Sequence, residues 1–385
     1  MTGTVFRPTC DMKKAVTILI ICVAGLLTLG MVMLYSASMT QHGSRFLITQ
    51  ASWCGLGLLA GVVAAALDYR WLKRISPWFL VFCIGLLVLV LVCGKQVKGA
   101  RRWLAIGPVG FQPSELAKLG LIMALAWYTE VWQRQMRTLW RGLIVPGAFI
   151  ALTLGLIFVE PDRGTTILLA GVCGIMLLTA GVRWLHLLPP TLVLIAALAY
   201  SFIHDPMRSA RIRAWRHLEE TKLDYGLQVY QGLLAFGSGG LTGVGLGDGM
   251  QKLGYVPEHH TDFILPIIGE ELGLVATLSV VLAFLGVLGC GAYIARKARD
   301  TFGLMLAAGI TFLISLQAFI NIAVVTNTLP NKGISLPFIS AGGSNLVAML
   351  GGVGLLISIA RKSEDAPATA VEASGVDELP VPQTP

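Results

Sequence analysis

The stretch VPEHHTDFILPIIGEELG, residues 256–273, sets Glu258, His259, His260 and Asp262 directly before an apolar run, with Glu270 and Glu271 inside that run. Carboxylates and imidazoles are the side chains that carry protons near neutral pH. Three further stretches mix ionisable groups into apolar sequence. RRWLAIGPVGFQPSELAKLG begins with Arg101 and Arg102 and places Glu115 and Lys118 three apart, on one helical face. FVEPDRGT sets Asp162 three residues before Thr165, and NTLPNKGISLPFISAGGSN carries Lys332. An ionisable group inside hydrocarbon costs about 2.5–3.5 kcal/mol even on lenient scales, so each is a candidate functional group.

Each also has a purely structural alternative. Ser114 can cap a helix opened by Pro113, with Glu115 and Lys118 as an ion pair. Asp162 and Asp262 can be N-caps of the helices that follow them. Lys332 can snorkel to the interface. Gln317 and Asn321, on one face of the ninth apolar run, can hydrogen-bond neighbouring helices. Glu270 lies about 12 Å along a continuous helix from Asp262, too deep to share one hydroxyl, and suits a buried cation or a cavity wall. His259 and His260 point apart on any regular element and have no third ligand placed by the sequence, which argues against zinc.

The elements that position these groups follow from composition. The chain has 385 residues, 55% hydrophobic and 13% charged, with mean hydropathy +0.74. Soluble domains carry about 25% charged residues, so this is an integral membrane protein. Apolar runs of helix-spanning length predict an all-α, polytopic membrane protein of ten spans at about 15–36, 46–67, 77–94, 114–129, 142–159, 164–182, 185–203, 263–295, 302–326 and 336–360. The runs do not alternate, which excludes a barrel. Seven cysteines, mostly in or beside spans and without C-x-x-C spacing, read as small apolar residues.

An even number of spans puts both termini on one face. With the termini cytoplasmic, inner segments carry fifteen Lys and Arg against seven in the short outer loops, so that orientation is expected. Residues 1–14 form a cytoplasmic lead, 15–362 the membrane domain, and 363–385 a Pro-, Ala- and acid-rich cytoplasmic tail expected to be disordered. The net charge of +8 lies mainly at membrane borders, which argues against nucleic acid as a partner. The one large outer loop is 204–262. It opens on DPMRSARIRAWRHLEE, a basic amphipathic helix suited to surface anchoring or substrate contact. The glycine-rich GSGGLTGVGLGDG, 237–249, lacks both a preceding strand and the G-K-[ST] of a P-loop, leaving a substrate-side backbone or a plain connector.

Under this topology Asp162, Lys332, the Arg101/Arg102 pair and the Asp262 cluster share the outer face. A polar chamber with several cations and a few carboxylates, open sideways to lipid, suits a substrate with a diphosphate head and an apolar tail.

The stretches MLYSAS, RRWLAIGPVGFQPSELAK, EPDRGT, VPEHHTDFILPIIGEELG and LPNKGISLPFISAGGSN resemble, in order and spacing, motifs of the SEDS family of cell-wall proteins, and YSAS, IGEELG and LPNKG resemble its division branch more than its elongation branch. Ala341 and Asn345 depart from the Tyr and Ser common there. The resemblance implies a peptidoglycan glycosyltransferase of the bacterial cytoplasmic membrane that polymerises lipid II, the undecaprenyl-diphosphate disaccharide pentapeptide, at the division septum. It implies Asp262 as the essential outer aspartate and general base for an acceptor hydroxyl, with Arg101, Arg102, Lys118 and Lys332 holding the diphosphate and Glu115 among the positions the family depends on; Asp162, from the reading of the residues themselves, is a cap that can also serve as a cavity carboxylate. A divalent cation, magnesium or manganese, near the carboxylates is a further expectation. The implied partners are a class B penicillin-binding protein, other divisome membrane proteins and the bilayer. Competing readings are an elongation-type polymerase, a lipid II flippase and a scaffold.

Overall fold

The computed structural model describes residues 9–38, 44–97, 100–106, 109–253 and 261–364. Glu258, His259, His260 and the tail from 365 onward lie outside the described residues.

Among the described residues, ten long helices correspond to the ten expected spans. They are α1 (Thr9–Ser38), α2 (Ser44–Ala66), α3 (Tyr69–Cys93), α4 (Pro113–Val131), α5 (Val145–Val159), α6 (Arg163–Thr179), α7 (Trp184–Ile203), α10 (Ile264–Lys297), α11 (Thr301–Val325) and α12 (Gly343–Glu364). Two shorter helices, α8 (Pro206–Arg216) and α9 (Leu227–Gly239), lie in the long loop. Eight helices among the described residues are long and apolar enough to cross a bilayer; α6 is shorter, and α4 carries Glu115, Lys118 and Glu130 within its 19 residues. The chain is a multi-pass membrane protein.

Two boundaries differ from expectation for local reasons. The third helix begins at Tyr69 rather than 77, because Asp68 caps it by accepting from the Arg70 amide at 3.0 Å and Pro77 is accommodated inside. The tenth begins at Gly343 rather than 336. Residues 326–342 instead form an irregular loop in which Ile334, Leu336, Phe338 and Ile339 are buried. Non-helical backbone at this depth is tolerable only when enclosed by protein. Gly30 of α1 permits that enclosure, since a Cβ there would sit 2.7 Å from Ile339 Cα.

A small antiparallel sheet, β1 (Lys95–Val97), β2 (Ala100–Ile106) and β3 (Val109–Phe111), joins α3 to α4 and is the one departure from all-α among the described residues. The bundle has two polar ends. At one, Tyr69 donates to Asp300 at 2.6 Å, Lys73 pairs with Glu130 at 2.7 Å, and Arg361 near the end of α12 donates to the Ala66 carbonyl. The opposite end, here called distal, gathers the sheet, the start of α4, the α5–α6 turn, α8, α9, the start of α10 and the 326–342 loop.

Candidate active site at the distal end

Every expected site residue lies at this distal end, and the 331–336 segment connects most of them. Asn321 of α11 donates from Nδ2 to the carbonyls of Asp262 (2.8 Å) and Ile334 (2.7 Å), tying the chain before α10 to the loop. The Asp262 carboxylate accepts from Thr261 Oγ1 at 2.9 Å, and its second oxygen faces Gly333, where a Cβ would approach to 3.3 Å. Asp262 does not cap α10: the capping position is Phe263, which makes no side-chain cap bond. The carboxylate therefore stands half-buried beside the Lys332–Gly333 loop.

The loop also touches α6. A Cβ on Gly164 would stand 2.9 Å from Ile334 Cγ1 and 3.4 Å from the Lys332 carbonyl. Asp162 caps α6 by accepting from the Thr165 amide (3.0 Å) and Thr165 Oγ1 (3.0 Å), and Gln112 Nε2 reaches it at 3.4 Å. Lys332 Nζ lies 5.8 Å from the Phe202 ring centroid at the end of α7, and burial lowers its pKa from the usual lysine value.

Two expected cations are placed differently from the simple picture of charges facing a diphosphate. Lys118 is 1% exposed, paired with Glu115 at 2.7 Å and donating to Gln317 Oε1 at 3.1 Å. Gln317 in turn donates to the Ser335 carbonyl at 2.9 Å, so the pair supports the loop from beneath. Ser114 does not cap α4, since Gln112 is its N-cap residue; Ser114 Oγ accepts from Gln112 Nε2 at 2.9 Å. Arg102 donates to the carbonyls of Glu160 (2.9 Å) and Pro161 (2.7 Å), bracing the α5–α6 turn from β2. Arg101, its neighbour on the strand, is exposed.

Sequence reasoning missed several groups. Glu160, in the α5–α6 turn, is 0% exposed and neither carboxylate oxygen has a hydrogen-bond partner. Burial, reinforced by Asp162, pushes its pKa up to about 8, against the pull of Arg102. Arg163 and Arg208 share the Ser201 hydroxyl at 3.1 and 2.6 Å. The departure at Asn345 has a use: its Nδ2 donates to Ser335 Oγ at 2.8 Å, fastening the loop to α12.

A second polar centre occupies the α1 side of α10. Lys252 is 2% exposed and pairs with Glu271 at 2.7 Å, and Ser36 of α1 donates to both Glu271 oxygens. Glu270 accepts from the Met250 and Gln251 amides rather than from a cation. The glycine-rich 237–249 stretch is thus an ordered strap. The Val244 and Gly245 amides bond the Glu270 and Glu271 carbonyls, and Gly273 breaks α10 at φ 77°, a left-handed backbone suited to glycine.

No three Asp, Glu, His or Cys side chains among the described residues are grouped to hold an ion. Glu258, His259 and His260, which precede Asp262, lie outside the residues so compared. Cys22, Cys54, Cys83, Cys93, Cys173 and Cys290 are free thiols.

The family of cell cycle proteins FtsW, RodA and SpoVE matches this chain over residues 16–365. A probable peptidoglycan glycosyltransferase FtsW of Trichlorobacter lovleyi is 38% identical over 364 residues, 92% of this chain and 96% of its own. Stage V sporulation protein E of Bacillus subtilis is 36% identical over 354 residues, 90% of this chain and 97% of its own. Among solved structures, a chain from a peptidoglycan synthase complex that coordinates polymerization and crosslinking aligns with TM-score 0.76 at 27% identity, covering 90% of this chain and 98% of that one. RodA of Thermus thermophilus aligns with TM-score 0.67 at 28% identity, covering 89% and 96%.

Proposed function

We infer the reaction from one premise: the chain belongs to the FtsW, RodA and SpoVE family of cell cycle proteins. It is a peptidoglycan glycosyltransferase of the FtsW kind, acting in division. Its substrate, in our reading, is lipid II. Asp262 removes the proton from the 4-hydroxyl of the acceptor GlcNAc, that oxygen attacks C1 of the donor MurNAc with inversion, and the polyprenyl diphosphate departs. Cations along the distal rim stabilise the developing phosphate charge, with Lys332 foremost and Arg102 holding the turn beside it.

The observation that carries this reading is the placement of Asp262. The cap position of α10 is Phe263 rather than Asp262, and Asn321 holds the Asp262 backbone against the loop that bears Lys332. Glu115, Lys118 and Asp162 act one step back, keeping the loop and the start of α6 in place. The distal end faces away from the cytoplasm in this reading, supported by the excess of cations on the opposite side. The likeness to a chain from a peptidoglycan synthase complex supports a crosslinking partner, a class B penicillin-binding protein, and the division-type relatives support a place at the septum among other divisome membrane proteins.

The test is product formation. Purified protein in vesicles with labelled lipid II should lengthen glycan chains, and Asp262→Ala should abolish the polymer. Translocation of lipid II between leaflets without polymer would establish the flippase instead, and full polymerisation by the alanine variant would remove Asp262 from the base role.

A further inference from the structure

The end of the bundle opposite the active site carries its cations in two different states. Lys73 is paired with Glu130 at 2.7 Å, Lys362 with Asp68 at 3.7 Å, and Arg361 donates to the Ala66 carbonyl. Arg137, Arg141 and Arg183 have no carboxylate partner among the described residues. The acid nearest to Arg137 along the chain is Glu130, which Lys73 already holds.

These three arginines gather around one packing contact. Gly142 lies buried in the π turn Trp140–Ile144, between α4 and α5. It is packed by the Met136 carbonyl and by Val182, whose Cγ2 would stand 3.5 Å from a Cβ on that glycine. Arg137 follows Met136, Arg141 precedes Gly142 and Arg183 follows Val182, so each is one Cα step of about 3.8 Å from the contact. A π turn is rare and frequent at functional sites. Its local cause is Pro146, which has no N–H for the Gly142 carbonyl four residues back.

The same contact is flanked by aromatic side chains. Trp140 stands beside Arg141 and Trp184 beside Arg183, and both rings are exposed. The Arg141 guanidinium lies over the Trp132 ring, 3.6 Å from its centroid. Stacking uses the face of a guanidinium and leaves its planar fork of N–H groups for oxygens at the edge. Helices α4 and α6 end here and α5 and α7 begin here, so the patch stands where spans leave the hydrocarbon, the level of the lipid headgroups. Cations contributed by two separate turns call for an anion able to bridge them, and exposed indole rings beside them suit acyl chains. A phospholipid with two phosphates meets both turns at once, whereas a lipid with one phosphate meets one at a time.

We propose that Arg137, Arg141 and Arg183, gathered around Gly142 and flanked by Trp140 and Trp184, bind the two-phosphate headgroup of a cardiolipin-type lipid and so clamp the α4–α5 and α6–α7 turns together. The site lies at the opposite end of the bundle from Asp262 and stands independently of the reaction assigned there.

The experiment uses the full chain in detergent, titrated with tetraoleoyl cardiolipin or dioleoyl phosphatidylglycerol and read by native mass spectrometry and melting temperature. Wild type should bind cardiolipin roughly tenfold or more tightly than phosphatidylglycerol, since one further charge-assisted hydrogen bond supplies such a factor. Cardiolipin should also raise the melting temperature. The triple variant Arg137→Gln/Arg141→Gln/Arg183→Gln should lose both the preference and the rise. Arg296→Gln/Arg299→Gln, which removes two exposed cations from the same end, should keep both. Equal affinity of wild type for the two lipids overturns the proposal, as does unchanged cardiolipin binding by the triple variant. An equal loss in the Arg296/Arg299 variant also overturns it, by reassigning the effect to general border charge. A wild-type measurement removes dependence on the variants' folding: cardiolipin should protect Arg141 and Arg183 from phenylglyoxal while leaving Arg296 reactive. Protection of all three alike, or of none, overturns the assignment.

Discussion

The two polar centres on either side of α10 are built from the same residue types and differ in how far they are closed. On the α1 side, Lys252, Glu271, Ser36 and the glycine strap satisfy one another within 2.6–3.3 Å, and both charged side chains are almost fully enclosed. On the α6 side, Asp262 and Lys332 are half-buried, two arginines crowd one hydroxyl, and Glu160 is enclosed without a partner. A closed network rigidifies, whereas an open one retains unused interaction energy for a ligand. We assign the first centre to the fold and the second to the chemistry.

Breaking the closed centre should have the largest effect on stability. Glu271→Gln leaves the buried Lys252 charge without its carboxylate, and we expect a loss of about 3–5 kcal/mol, read as a lower melting temperature in detergent. Restoring an apolar pair, Lys252→Met with Glu271→Leu, should recover much of it. A melting temperature equal to wild type for Glu271→Gln would show that this centre is not structural.

Asn321→Ala tests the join between the two kinds of region. It orphans the Asp262 and Ile334 carbonyls, at about 1–3 kcal/mol for a buried group left unsatisfied. Because it also loosens Asp262 against the loop, kcat/KM should fall by more than the stability loss alone explains, on the order of tenfold or more. Equal residual activity per folded molecule would remove Asn321 from the positioning role.

Glu160→Gln should have an effect of opposite sign on stability. Burial raises the folded pKa to about 8, above the unfolded value near 4.5, so the wild type loses stability as pH rises between those two values. The variant lacks that loss, and its melting temperature should exceed wild type at pH 8 while matching it near pH 4.5. A constant difference across that range would contradict the partnerless acid.

Much of this architecture was legible in the sequence because the bilayer imposes a length and a composition on every span. Pro113, Asp162 and the Glu115/Lys118 spacing announced local geometry correctly, since caps and i,i+3 pairs depend on a few neighbouring residues. The hairpin at 95–111 was missed, although Arg102 and Leu104 alternate with Arg101 and Trp103, because three short strands barely register beside long apolar runs. Lys252 and Glu271 lie 19 residues apart and meet only through the strap and the Gly273 break. Ser201, Arg163 and Arg208 converge from three different elements, and no local spacing reports such a meeting. The loop before α12 read as helix because Leu336, Phe338 and Ile339 are apolar; they are buried by protein around an irregular backbone rather than by helix formation.

The most direct test of the central claim, that Asp262 serves the reaction and not the fold, is one preparation of Asp262→Asn measured for both polymerisation and melting. The account predicts a loss of glycan synthesis of about 10²–10⁴-fold with the melting temperature within a degree or two of wild type. Retained synthesis, or a loss of activity matched by loss of the folded protein, would contradict it.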